Sequence, residues 1–207
     1  MILKDKNGLV LKDKSSHKIL KPVEKTTGSV TIGGRKYPTV KIGNQLWMAE
    51  NLDFVWDRLI VGKSGTSSTE PRGNYYNNDE STYGINGNKR GLLYNHFAAT
   101  NIPDLPSGWH LPSKSEWETL ITNAGDNPSE KLRADAFYGD DDYGMKILPT
   151  GLYTSSFSSE MIGYYWSATL RYIGSYYYIN FSTAPNVSYS QYSEAYEMGI
   201  RLVKNLA

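Results

Sequence analysis

Gly108-Trp109-His110-Leu111-Pro112-Ser113-Lys114-Ser115-Glu116-Trp117 is the stretch on which the reading of the fold turns. Ser113-Lys114-Ser115-Glu116 spells a capping box: the Ser113 hydroxyl accepts the amide of Glu116, whose carboxylate reaches back to the amide of Ser113. Trp117, Leu120 and Ile121 then fall at i, i+3 and i+4 on one face, and Gly125 is a natural stop. The spacing predicts one well-defined helix between Ser113 and Gly125.

Upstream, Val30-Thr31-Ile32, the pair Gly33-Gly34 and the run from Lys36 to Ile42 read as a hairpin with a tight glycine turn. Val40, Ile42, Leu46, Trp47 and Met48 supply apolar anchors. Residues 62–91 are rich in Gly, Ser, Asn and Asp and read as long surface loops carrying Tyr75, Tyr76 and Tyr83. Weaker helices are expected over Tyr94 to Thr100 and near Ser129 to Ala134. After residue 144 the pattern is strands and turns. Tyr177, Ile179 and Phe181 alternate with Tyr178, Asn180 and Ser182, so the first set should face the core and the second the solvent. A last strand, Gly199 to Val203, should pair centrally. The class is α+β, with few helices and antiparallel C-terminal strands, over residues 29–207. Residues 1–28 stand apart: Leu3-Lys4-Asp5-Lys6 recurs as Leu11-Lys12-Asp13-Lys14 around Asn7-Gly8, which reads as a charged hairpin or a solvated arm.

Composition narrows the function. Lys and Arg number 22 against 21 Asp and Glu, a balance that argues against a nucleic-acid binder or a polybasic membrane anchor. Zero cysteines removes disulfides, thiolate metal sites and thiol nucleophiles together. No apolar stretch approaches the roughly 18 residues of a spanning helix, so membrane insertion is not expected. Met1 to Lys14 lacks the apolar core of a signal peptide, which leaves export open. The unusual feature is tyrosine. Of 17, nine lie between Tyr164 and Tyr196, where the only charges are Arg171 and Glu194.

Several blocks together resemble the Fibrobacter succinogenes major paralogous domain. They are Tyr37-Pro38-Thr39-Val40-Lys41-Ile42-Gly43-Asn44-Gln45-Leu46-Trp47-Met48-Ala49-Glu50-Asn51-Leu52, Gly91-Leu92-Leu93-Tyr94-Asn95, the Gly108 to Ser113 stretch with Glu116-Trp117, Asp142-Tyr143-Gly144, Leu148-Pro149-Thr150-Gly151, Tyr165-Trp166-Ser167-Ala168-Thr169 and Ile200-Arg201-Leu202-Val203. The resemblance covers roughly residues 30–204 and implies a C-type lectin-like fold, in the branch that includes formylglycine-generating enzymes. Ser107 stands where the family often has a cysteine. A lectin-like domain ending in a Tyr/Ser/Asn-rich segment is also similar to the variable proteins of diversity-generating retroelements. In these, Asn codons are randomised in their first two positions, which excludes Trp, Met, Lys, Gln and Glu. Those five types make up 37 of the 207 residues here, yet Ser167 to Ser190 contains none. A tyrosine-rich strand of low charge would give the same count.

Tyrosine offers a large rigid ring, a hydroxyl that donates and accepts, and little rotamer entropy to lose, which is why antibody loops combine it with Ser, Gly and Asn. The expected ligand-binding set is Leu170, Arg171, Tyr172, Ile173, Tyr176, Tyr178, Asn180, Ser182, Thr183, Ala184, Asn186, Ser188, Tyr189, Ser190 and Tyr192. The bland reading, tyrosines packed on a wide sheet, stands beside it. No enzyme is expected. A formylglycine-generating site would need cysteine, and His17, His96 and His110 show no metal-ligand spacing. His110 should take a fold role through a buried ring hydrogen bond. Asp140-Asp141-Asp142 offers oxygen ligands for calcium but not the alternating spacing of a calcium loop, so an acidic turn is the preferred reading. Trp47, Trp109, Trp117 and Trp166 are expected in the core, and Trp56 is the one that can be exposed. The function expected is recognition of a protein or glycan receptor on a cell surface, without cofactor, from a phage tail or a bacterial surface. A fixed-sequence surface domain is the alternative.

Overall fold

In the computed structural model the described residues are 2–4, 10–13, 28–62, 65–78, 84–85 and 88–206. Ile2–Lys4 and Val10–Asp13 pair antiparallel, which is the hairpin of the two alternatives read for residues 1–28. The Asn7-Gly8 turn, His17 and Tyr83 lie outside the described residues.

The glycine turn is where it was expected. Gly28–Ile32 and Arg35–Ile42 pair across Gly33-Gly34, both at positive φ (55° and 79°), the geometry that matches the twist of two antiparallel strands. A Cβ on Gly33 would meet the Phe54 ring at 2.1 Å, so glycine is required there for space as well as for backbone angle. This hairpin continues into Gln45–Met48 and then Val203–Asn205, forming a four-stranded antiparallel sheet. The expected central strand at 199–203 is corrected. Strand structure covers Val203–Asn205 at the sheet edge, while Gly199 to Leu202 is a buried segment whose carbonyls accept from Met48, Leu52 and Trp166 amides.

A second sheet has six short strands in the order Phe157–Ser158, Leu152–Tyr153, Glu197–Met198, Leu93–Asn95, Arg72–Asn74 and Ile60–Val61. Here the reading of 62–91 as surface loop fails in part. Gly73 and Asn74 are buried mid-sheet and Tyr76 is 9% exposed, packed with Leu93, Tyr153 and Phe157. Asn95, in the neighbouring strand, stays inside because loops around it meet its hydrogen bonds. Asn95 Oδ1 accepts the Arg72 amide, and its Nδ2 donates to Ser67 and Glu70 carbonyls.

Among the described residues there are three α-helices: α1 (His96–Thr100), α2 (Lys114–Ala124) and α3 (Pro128–Leu132). α2 carries the predicted capping box in full and ends on Gly125. Burial alone would raise the Glu116 carboxyl. Hydrogen bonds from the Ser113 amide, His110, the Ser113 hydroxyl and Asn205 outweigh it and hold the carboxyl below its ordinary range. His110 therefore does have a fold role, with Nε2 2.7 Å from Glu116 Oε1, but its side chain is 43% exposed rather than buried. Ser113→Ala should cost about 1 kcal/mol, read as a lower urea midpoint at unchanged m-value.

Gly163–Tyr172, Ser175–Phe181 and Ser188–Ser193 form a three-stranded antiparallel meander. Apolar groups cover it on both sides. On one, Tyr165, Ile179 and Phe181 join Trp47, Trp117 and Val203 beneath α2; on the other, Tyr164, Trp166 and Tyr178 join Trp109, Met198 and Ile200. The four tryptophans expected inside are inside, and Trp56 is half-buried, stacked on Tyr94 at 6.1 Å.

Candidate binding surface

The meander extends past the core at one end, and the register explains why. Trp166 pairs with Tyr178 and Leu170 with Tyr176, with register shifts between Trp166 and Leu170 and again before Tyr172. Such bulges bend the strand and break its alternation. The result is a projecting hairpin tip on which Leu170 (52%), Tyr172 (57%) and Ile173 (96%) are exposed together. Gly174 (φ 76°) makes the turn. Fastenings hold the tip in place: the Glu194 amide donates to the Gly174 carbonyl, the Ser175 hydroxyl donates to the Tyr192 carbonyl, and the Lys114 amide donates to Thr169 Oγ1.

Behind the tip runs a ladder of tyrosine rings. Tyr164 lies 5.6 Å from Tyr178, Tyr178 stacks on Tyr192 at 5.5 Å and 15°, and Tyr196 meets Tyr192 edge-on at 5.1 Å. Alongside, Tyr176 stacks on His96 at 3.5 Å and 17°. Offset stacks and edge contacts of this kind fix ring orientation and add to the area they bury. His96 is 2% exposed, and its Nε2 lies 3.0 Å from the Ser167 carbonyl, so that nitrogen carries the proton. Burial pulls its pKa down to about 4 against the hydrogen bond to Ser167, leaving a neutral ring under the tyrosines.

The fifteen expected ligand-binding residues do not form one patch. Leu170, Arg171, Tyr172, Ile173, Tyr176 and Tyr192 gather at the tip. Asn180, Ser182, Thr183, Ala184, Asn186 and Ser188 sit at the opposite end of the Ser175–Phe181 strand, about 20 Å away for a seven-residue strand. Thr183, Ala184, Asn186 and Ser188 are exposed there, and Ser188 Oγ lies 2.9 Å from Asn180 Oδ1. Two positions are corrected. Tyr178 is on the expected face but only 7% exposed, because that face packs on the core formed with Tyr164 and Trp166. Tyr189 pairs opposite Ile179, so it shares the α2 side of the sheet, with Lys114 Nζ 5.1 Å from its ring centre. Burial drives its hydroxyl pKa up. Tyr177, expected inside, is half-buried between Arg171 and Lys114, at 5.7 and 5.6 Å. Ser190 lies between the two groups, half-buried opposite Tyr178.

Tyr196 and His96 belong to the ladder but escaped the sequence reading. The period-2 pattern stops at Tyr192, and a ring stack between residues 80 positions apart leaves no local signal. The Asp140-Asp141-Asp142 run is a fastened turn. Its amides donate to the carbonyls of Glu130, Arg133 and Lys131, and Asp141 Oδ1 accepts the Lys146 amide at 2.9 Å. Among the described residues no group of three His, Cys, Asp or Glu side chains is placed to hold a metal, and no helix is long and apolar enough to cross a membrane.

A mostly-β α+β domain with few helices and a projecting tyrosine-lined hairpin is the class these features define. The family model described as the Fibrobacter succinogenes major domain matches residues 40–204, and the chain belongs to that family. Comparison with curated proteins and with solved structures gives no match.

Proposed function

We propose that this domain is a non-catalytic recognition module of C-type lectin-like fold, in the formylglycine-generating-enzyme-like branch, that binds a protein or glycan receptor through the 170–173 tip and the adjoining Tyr176 and Tyr192. The observation that carries the reading is the tip itself: three large apolar side chains held in solvent by a fastened hairpin. Clustered exposed apolar groups of this kind mark contact surfaces, and a tip ordered before binding loses little entropy on association. Tyrosines with serine and asparagine neighbours add adaptable hydrogen bonding.

The finer reading is a variable protein of a diversity-generating retroelement, displayed on a phage tail or a bacterial surface. The division of labour within the meander supports it. Residues of the tip and of the 183–186 loop hang outside the core, where substitution costs little. Tyr165, Trp166, Ile179 and Phe181 are wholly buried and hold the scaffold. A fixed-sequence surface domain would use the same tip for one ligand class.

The test is binding of the full chain to a glycan array and to a panel of intact bacterial cells, compared with Tyr172→Ser, Ile173→Ser and Tyr192→Ala. Binding that falls at least tenfold in the tip variants, at unchanged Tm, supports the proposal. Binding that survives all three contradicts it. Tyr178→Ala is a core change and should lower Tm first.

A further inference from the structure

Glu197 has no exposed surface, yet only one of its carboxyl oxygens is partnered. Oε2 accepts from Asn74 Nδ2 at 2.8 Å, whereas Oε1 is buried and meets no donor. Asn74, 1% exposed, has the complementary fault: its amide nitrogen is used, and its Oδ1 is buried and meets no donor. A buried acceptor without a donor carries its full desolvation cost, so two on one contacting pair call for an explanation. A single proton supplies it. As a carboxylic acid, Glu197 accepts from Asn74 through one oxygen and donates to Asn74 Oδ1 through the other, closing a cyclic acid–amide pair.

We propose that Glu197 is held as the neutral acid in the folded protein and forms with Asn74 a two-point latch over the intervening Leu93–Asn95 strand, which opens when Glu197 ionises. The register places the two residues for this: Glu197 pairs with Asn95 on one side of that strand, and Asn74 pairs with Leu93 on the other. The surroundings agree. Burial pushes the carboxyl up to about 8, opposed only in part by the Asn74 hydrogen bond and by Arg72. Arg72 itself lies 3.6 Å from Glu70. The other titratable side chains on strands packed against Glu197 are Tyr94, Tyr153, opposite Glu197, and Tyr164 and Tyr165, with Arg171 and Tyr172 at the far, exposed end of the Gly163–Tyr172 strand. Next in the chain is Tyr196, edge-on to Tyr192 in the tyrosine ladder.

The sign of the pH dependence follows. Folding raises the Glu197 pKa from its unfolded value of about 4.3, so the folded state holds a proton that the unfolded chain has released. The latch's contribution is complete below about pH 4.3, declines as pH rises, and is gone above the folded value of about 8. His96 acts in the opposite sense, but only below its unfolded pKa of about 6.5, so the interval above pH 6.5 isolates Glu197.

The experiment is urea unfolding of the full chain at pH 6.5 and 8.5, for wild type and Glu197→Gln, with infrared spectra of wild type over the same range. Glutamine preserves both hydrogen bonds without a titrating proton. Wild type should show an unfolding constant that rises on the order of tenfold or more between the two pH values. The variant should stay nearly flat, should be more stable than wild type at both pH values, and should match it only at about pH 4.3, where the unfolded chain also holds the proton. A protonated-carboxyl carbonyl band should be present at pH 6.5 and vanish with a midpoint near 8. An equal slope in Glu197→Gln overturns the proposal. So does absence of the band, which is read on wild type alone and decides the matter if the variant does not fold.

Discussion

Replacing Arg201 with alanine is expected to destabilise the protein by about 3–5 kcal/mol, the combined cost of leaving several buried acceptors without a donor and of emptying the volume of a large side chain. Arg201 is fully buried, and its donors are spent on the frame of the domain. Nη1 donates to the carbonyls of Met48 at 2.9 Å and Met145 at 2.7 Å, Nη2 to that of Lys146 at 2.7 Å, and Nε to the Asn51 side chain. Asn51 Nδ2 in turn donates to the Arg90 carbonyl, and the Tyr165 hydroxyl lies 2.7 Å from the Leu148 carbonyl and 3.1 Å from Asn51 Oδ1. One side chain thus ties the 40–52, 142–151 and 165–169 segments to the C-terminus. Alanine strands those acceptors in a dry interior and opens a cavity. Lysine should not rescue, because one ammonium cannot reproduce the planar fork. A fall in Tm of roughly 6–20 °C is expected at this chain length. A loss under about 1 kcal/mol would show that the network is dispensable.

His96 gives the second large effect, at acid pH. Its folded pKa of about 4 lies below the unfolded value near 6.5, so the unfolded chain takes up a proton that the folded one refuses. Its stabilising contribution is whole above pH 6.5 and is lost as pH falls toward 4, at a cost of about 3 kcal/mol. Between pH 4.5 and 6.5 Glu197 produces the reverse slope, and the two should largely cancel in wild type. Glu197→Gln should therefore expose the His96 slope, with the unfolding midpoint dropping steeply below pH 6.5. His96→Phe should remove it, because phenylalanine keeps the ring stack on Tyr176 without the titrating nitrogen. A Glu197→Gln protein whose stability is flat from pH 6.5 to 4.5 would contradict the buried neutral histidine.

The legible parts of this fold are those whose cause is local. The Gly33-Gly34 turn, the Ser113 capping box and the stop at Gly125 each depend on residues within a few positions, and all three stand as read. The burial of Ile179 and Phe181 follows from alternation. Alternation misled at Tyr178, because it assigns two faces without saying that a second core covers the outer one. At 168–173 bulges change which way successive side chains point, so alternation is no guide there, and the exposure expected of residues 170–173 rests on reading them as loop. The 72–78 segment was illegible for another reason: its burial depends on Asn95, Ser67 and Glu70, and polar residues that satisfy one another in the interior look like loop in sequence. The tip was found as a composition of tyrosine and serine. Its separation from the 183–186 loop was not, since proximity in sequence hid a full strand length in space.

The measurement that tests the proposed diversification of this surface most directly is deep sequencing of the gene's 3′ end and its flanking DNA from the source population. The account predicts substitutions concentrated at Leu170, Arg171, Tyr172, Ile173, Tyr176 and Tyr192 and in the 183–186 loop, at adenines of a nearby near-copy. Tyr165, Trp166, Tyr178, Ile179, Phe181 and Arg201 should be unchanged. Substitutions spread evenly along the gene, or falling on those buried positions while the tip is constant, would contradict it.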